Sequence, residues 1–352
     1  MKKILIIRLS SIGDIILASS LIRLTKKRFP QAKINMAVST EFEELISANP
    51  NINEVILFER KTGLKGLLRL CKKIREEQYD LIIDIHKKLR SLLICLTSGA
   101  KQRVSYNKHS VLRFLLVRFK INRYKEIPFI SNLYLKSIEK FGVEDDGGGL
   151  EFYITPSKEA SISELLRIEE IAKQDILIGL APGAHWDTKR WHKERFIELA
   201  NLLIQRKNAK IVIFGGKDEV KLSEEIKTSL LNKPIIAAGQ LSLMETAALL
   251  KKCKVLISND TGVLHISAAV KTPVVAIFGP TVGEFGYYPY RVLNRVISKS
   301  LPCKPCTTKG TSMCPINTFD CMNLVSTNEV LEAVEEIMAS DLGAPRKLIL
   351  SI

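Results

Sequence analysis

Five loops in this 352-residue chain collect the side chains able to do chemistry, and each follows a short apolar run. Ser10-Ser11-Ile12-Gly13-Asp14 places one carboxylate where an apolar run meets a helical pattern. A carboxylate so placed serves as a general base at the mouth of a cleft or as a helix cap, and both readings stand. Asn259-Asp260-Thr261-Gly262, with His265 one turn on, opens a second helical segment. Backbone N–H groups and the helix dipole make that start an anion site, where Gly262 lets a phosphate approach; plain capping by Asp260 or Thr261 is the alternative. Gly279-Pro280-Thr281 ends the next apolar run, which brings a second polar loop to the same edge. Pro182-Gly183-Ala184-His185 leads to Lys189-Arg190-Trp191, where a cation would reach a pyrophosphate and Trp191 with Phe196 would anchor the next helix. In Gly215-Gly216-Lys217-Asp218-Glu219 a carboxylate is placed to accept from ribose hydroxyls or to cap. Cys303, Cys306, Cys314 and Cys321 follow C-x2-C-x7-C-x6-C. Only the first pair has zinc spacing, so a structural metal and buried thiols closing a loop both remain open.

These loops need a scaffold that delivers them to one edge. Apolar runs at 3–8, 33–38, 54–58, 81–85 and 103–106 read as strands, and 15–29 reads as a helix ended by Pro30. After a loop at 142–149 the pattern restarts. Strands are expected at 176–181, 210–214, 234–238, 254–258 and 273–278, helices at 193–206, 219–231, 243–253 and 262–270, and a closing helix at 328–338. Alternation between periods 2 and 3.6 marks βαβ units and parallel sheets. The expected fold class is α/β, with two doubly wound domains facing a cleft, residues 1–160 and 161–352. Such sheets bind ligands beyond the carboxyl ends of their strands.

Composition narrows the ligand. Hydrophobic residues make up 46%, enough to bury two cores. The net charge is +16, and residues 1–150 hold 28 basic against 15 acidic side chains, or +13 of it. A field so concentrated suits an anionic partner. No G-x-G-x-x-G occurs, which weighs against a nicotinamide dehydrogenase, and no D-x-D, which weighs against a nucleotide-sugar site built on a metal. No apolar run reaches the roughly 18 residues of a membrane span, and Arg8 and Asp14 spoil the resemblance to a signal peptide. Seven cysteines without an export signal suggest a cytoplasmic protein.

Taken together, 4–14, 182–186 with 189–191, 215–219, 259–265 and 278–281 resemble glycosyltransferase family 9, the ADP-heptose:lipopolysaccharide heptosyltransferases. The cysteine series is similar to that of the heptosyltransferase II-like branch. The resemblance implies a GT-B fold of two Rossmann-like domains: an acceptor-binding one, 1–160, and a nucleotide-sugar-binding one, 161–352. It implies an inverting transfer of heptose from ADP-heptose to the anionic inner core of lipopolysaccharide, without metal or cofactor. Asp14 would be the base, with Ser10 and Gly13 of its motif among the substrate contacts. Lys189 would meet the phosphates, Glu219 the ribose and Leu241 the adenine surroundings. Asp260, Thr261, Gly262 and His265 would hold diphosphate and sugar. The place of work would be the cytoplasmic face of the inner membrane, peripherally, with no nucleic acid involved. Two rivals remain. One is a non-catalytic basic nucleic-acid-binding protein, against which 7% aromatic content offers few stacking platforms. The other is a transferase or epimerase using another nucleotide sugar.

Overall fold

The computed structural model describes residues 1–340; the end of the expected second domain, 341–352, lies outside them. The chain folds as two units. Residues Met1–Lys108 and Phe129–Tyr153 make the first, and His109–Pro128 with 154–340 make the second.

The first unit is a parallel sheet of β1 (Lys3–Ile7), β2 (Lys33–Ser39), β3 (Glu54–Phe58), β4 (Leu81–Asp84) and β5 (Gln102–Ser105). Their order is β3-β2-β1-β4-β5. Ile4 to Ile7 are fully buried, because a central parallel strand carries helices on both faces and must be apolar on both. The expected helix at 15–29 is instead two: α1 (Ile12–Leu17) and α2 (Ser19–Arg28), parted at Ala18. The start moves forward to Ile12 because Ser11 takes the N-cap position, leaving Asp14 at the third helical residue. Next come α3 (Gly63–Glu76) and α4 (Leu89–Thr97), whose Leu67, Leu70, Ile74 and Ile94 pack with Leu5, Ile7, Ile56 and Ile82 in one core. Then follow α5 (Ser110–Phe119), counted with the second unit, and α6 (Ile130–Lys136).

The second unit continues through α7 (Pro156–Ile168), β6 (Leu177–Ala181), α8 (Lys193–Lys207), β7 (Lys210–Ile213) and α9 (Val220–Lys227). It goes on with β8 (Ile235–Ile236), α10 (Leu243–Leu250), β9 (Val255–Asn259), α11 (Gly262–Ala269) and β10 (Val274–Ile277). β11 (Asn294–Ile297), α12 (Asp320–Asn323) and α13 (Thr327–Ser340) complete it. The parallel order is β11-β10-β9-β6-β7-β8. Its core joins Trp191, Phe196 and Leu199 to Val330, Leu331 and Val334 of α13.

Both sheets reverse their winding once: between β1 and β4 in the first, between β6 and β9 in the second. A crevice opens at such a switch point, where neighbouring connections leave for opposite faces, and ligands settle there. Among the described residues no helix is long and apolar enough to cross a membrane.

Candidate active site

In the first unit the Asp14 loop leaves β1 on one side of the switch point. Arg8, just past β1, is buried and pairs with Asp14 Oδ2, while its second terminal nitrogen donates to the Ile85 carbonyl beyond β4. Ser11 Oγ donates to the same carboxylate oxygen at 3.0 Å, and the Ser11 N–H reaches it at 3.4 Å. Capping and ion pairing therefore meet on one carboxylate. Burial pushes the Asp14 carboxyl up, but the Arg8 guanidinium and the Ser11 hydrogen bonds outweigh it and hold the group below the usual range. Asp14 is thus an anion with little solvent around it, its side chain 13% exposed. Gly13 is buried and Ser10 half-buried beside it.

Across the switch point Asp84 organises the loop after β4. It accepts from the backbone N–H groups of His86 and Lys87 and from Ser91 Oγ, each at 2.9 Å. His86 is buried, and its Nδ1 has no hydrogen-bond partner. Burial, with Arg8 and Lys88 adding positive potential, pulls its pKa to about 3, so the ring is neutral at physiological pH. Neither Arg8 nor His86 was among the expected site residues. Arg8 carried a signal: a cation at the end of an apolar run, six residues before a carboxylate.

In the second unit the four remaining loops leave β10, β9, β6 and β7, which are consecutive in the sheet. Asn259, fully buried at the end of β9, donates to the Pro182 carbonyl at 2.8 Å and accepts from the Trp191 N–H at 3.1 Å. One side chain thereby ties the loop after β6 to β9, while Trp191 anchors that loop in the core by donating to the Val325 carbonyl at 3.0 Å. The tie brings Lys189 Nζ to 2.5 Å from Asp260 Oδ2, which also accepts from Thr281 Oγ1 at 3.0 Å. Thr261 occupies the N-cap position of α11 but makes no side-chain capping bond. His265 is buried one turn into α11, its ring 6.3 Å from that of Tyr287.

Glu219 folds back on its own loop, accepting from the Gly216 N–H at 2.7 Å. Its carboxylate lies against Gly183, where a Cβ would stand 1.8 Å from Oε1. Leu241 is half-buried beyond β8, on a loop joined to the Gly215 loop by the Gly239 N–H to Gly215 carbonyl bond at 3.1 Å. The second switch point thus gathers Lys189, Asp260, Thr261, Gly262 and Thr281, with Glu219 on the neighbouring loop.

Of the four spaced cysteines, Cys314 and Cys321 are buried, Cys303 and Cys306 half-buried, and all are free thiols. Among the described residues no group of three or more His, Cys, Asp or Glu side chains is arranged to hold a metal.

Two doubly wound parallel units, the second with Lys189, Asp260 and Thr281 gathered at its switch point, have the GT-B architecture. The chain belongs to glycosyltransferase family 9 (heptosyltransferase), whose model matches residues 67–317. Lipooligosaccharide heptosyltransferase 2 of Haemophilus influenzae is 28% identical over 296 residues, 80% of this chain and 84% of that protein. Lipopolysaccharide heptosyltransferase 2 of Escherichia coli is 26% identical over the same shares. Among solved structures, a family 9 glycosyl transferase from Veillonella parvula superposes with a TM-score of 0.81 at 24% identity, covering 96% of this chain and 98% of that one. The E. coli ADP-heptose lps heptosyltransferase II superposes at 0.74 and 22%, covering 97% and 100%. The expected fold class and family are therefore found.

Proposed function

We propose that the chain is an inverting heptosyltransferase that moves heptose from ADP-heptose to the inner core of lipopolysaccharide, at the cytoplasmic face of the inner membrane. The observation that carries this is the cluster of Lys189, Asp260 and Thr281 at the α11 start. The names of the relatives, heptosyltransferases of lipopolysaccharide and lipooligosaccharide, supply sugar and acceptor. The N-terminal unit, bearing most of the positive charge, takes the anionic acceptor; the C-terminal unit takes the donor.

In this account the diphosphate sits at the α11 N-terminus, where Gly262 gives it room and Lys189 supplies the cation. Asp260, itself held by Thr281, keeps Lys189 in place, Glu219 meets the ribose, Leu241 lies near the adenine, and His265 faces the sugar. Asp14 takes the proton of the acceptor hydroxyl as that oxygen attacks the anomeric carbon. With Arg8 beside it the carboxylate is a weak base, so the proton moves late, once the attacking oxygen has become acidic. Charge appearing on the departing ADP is met by Lys189 and the helix start, both in place beforehand. A single displacement inverts the anomeric centre.

Calorimetric titration with ADP, ADP-heptose, UDP-sugars and single-stranded RNA tests the reading. Tight binding of ADP and ADP-heptose alone is expected; preference for a UDP-sugar or for RNA overturns it. Donor binding should persist in EDTA, because the anion is held by Lys189 and backbone dipoles. Loss in EDTA with recovery in magnesium contradicts that assignment.

Gly183→Ala offers a selective probe of Glu219. The new methyl displaces the carboxylate, so the donor KM should rise about tenfold, the worth of roughly one hydrogen bond, with kcat little changed. Glu219→Ala should give the same rise and the double variant no more. Additive losses would place the two residues in separate roles.

A further inference from the structure

The first unit leaves an apolar face uncovered. On α4, Ser91, Ile94 and Cys95 turn inward, whereas Leu89, Leu92 and Leu96 face solvent with 85%, 52% and 68% of their surface exposed. Their i, i+3, i+7 spacing puts all three on one stripe, the reverse of an ordinary surface helix. On α3, packed beside α4, Leu64 and Leu68 are 66% and 52% exposed on the flank of a helix whose other leucines are core. Exposed leucines are unremarkable singly, but five on two adjacent helices mark a contact surface.

The charges around the face say what it contacts. From Arg60 to Arg75 the sequence has seven cations and no carboxylate, and from Ile85 to Lys125 again no carboxylate. Lys61, Lys65, Arg69, Lys87, Lys88 and Arg90 are all exposed. A second copy of the chain would set like charges against each other in a two-fold pairing, which disfavours a dimer here. Leucines rimmed by Lys and Arg match a bilayer carrying anionic headgroups, with apolar side chains entering the acyl boundary and cations on the phosphates.

We infer that the outward face of α3 and α4 docks this protein on an anionic phospholipid bilayer. The inference deepens the proposed function by naming the surface on which a lipid-borne acceptor is met. The placement fits: α3 and α4 begin at the carboxyl ends of β3 and β4, the sheet edge that carries Asp14. The most exposed leucine of each helix, Leu64 and Leu89, lies in its first turn, at that edge.

Flotation of the full chain with phosphatidylglycerol-containing vesicles, at low and high salt, tests this. The wild type should float with anionic vesicles and much less with phosphatidylcholine alone. Lys65→Glu with Arg69→Glu should lower partitioning at least about tenfold, since each cation near an anionic surface gives roughly a fivefold gain. The triple change Leu89→Ser, Leu92→Ser, Leu96→Ser should abolish it, while heptose transfer to a soluble, delipidated inner-core oligosaccharide stays normal. Because that reaction needs no membrane, its loss in the wild type would fault the proposed function rather than the docking face. Should the serine variant unfold, Leu92→Trp reads the same contact through a blue shift of emission on anionic vesicles only. Unchanged flotation of the charge-reversed and serine variants overturns the inference. So does a dimer by light scattering that the serine changes dissolve.

Discussion

Asp14→Asn is expected to lower turnover by roughly 10²- to 10⁴-fold, the usual worth of a positioned base. The amide keeps the oxygen that accepts from Ser11, so the turn before α1 is preserved, but it cannot take the acceptor proton. ADP affinity should remain near wild type, because Lys189, Asp260 and Thr281 belong to the other unit. Some stability should be lost, since Arg8 is buried against this carboxylate and a neutral partner compensates its charge poorly. Rates are therefore compared well below the melting temperature of the variant, with ADP titrated on the same sample. Near-normal turnover with ADP binding intact would remove Asp14 as the base and leave it the capping role alone.

Arg8→Met should cost about 3–5 kcal/mol of stability at neutral pH, because it strands a buried carboxylate. The pH dependence gives the sign. In the wild type the folded-state pKa of Asp14 is lowered, so the pair stabilises the fold above the ordinary carboxylate pKa and loses that contribution as pH falls through the folded value. In the variant only the Ser11 hydrogen bonds still oppose burial, so the pKa of Asp14 lies above its wild-type value and the penalty of the buried anion grows as pH rises through it. The stability gap should be widest near neutral pH, narrow as pH falls through the ordinary carboxylate range and close only below the lowered folded value of Asp14, as read by denaturant unfolding at several pH values. The acid limb of kcat/KM should move to higher pH in parallel. A gap independent of pH would mean that Arg8 acts through packing and not through its charge on Asp14.

The segments of this protein that carry chemistry were legible because parallel strands advertise themselves twice, as apolar runs and as the polar loops that end them. β1, β6, β7, β9 and β10 all followed that pattern, and the glycines and carboxylates after them marked the working edge of each sheet. Pairings across the fold were not legible. Lys189 and Asp260 stand 71 positions apart, and only the β6–β9 neighbourhood with the buried Asn259 clamp makes them partners. Arg8 reads as an interruption of an apolar run; its spacing from Asp14 is the one local hint of the pair, and only the turn into α1 brings the two together. The parting of α1 from α2 escaped notice because Ala18 is a good helix former and the break involves no Gly or Pro. β11 was hidden by its shortness and half-buried Arg295-Val296-Ile297, and the return of 109–128 to the second unit has no compositional mark. The outward leucines of α4 carry no mark in the sequence that tells them from core; only the side of the helix facing the sheet shows that they are exposed.

Heptose transfer itself is the most direct test. Purified wild-type chain would be incubated with ADP-heptose and a heptose-accepting inner-core lipopolysaccharide, in EDTA, and the acceptor followed by mass spectrometry with the anomeric configuration read by NMR. The acceptor should gain one heptose residue with inverted configuration, with stoichiometric release of ADP and no product from UDP-sugars. A chain that binds ADP-heptose yet leaves the acceptor mass unchanged, or that transfers with retention, would contradict the proposed function.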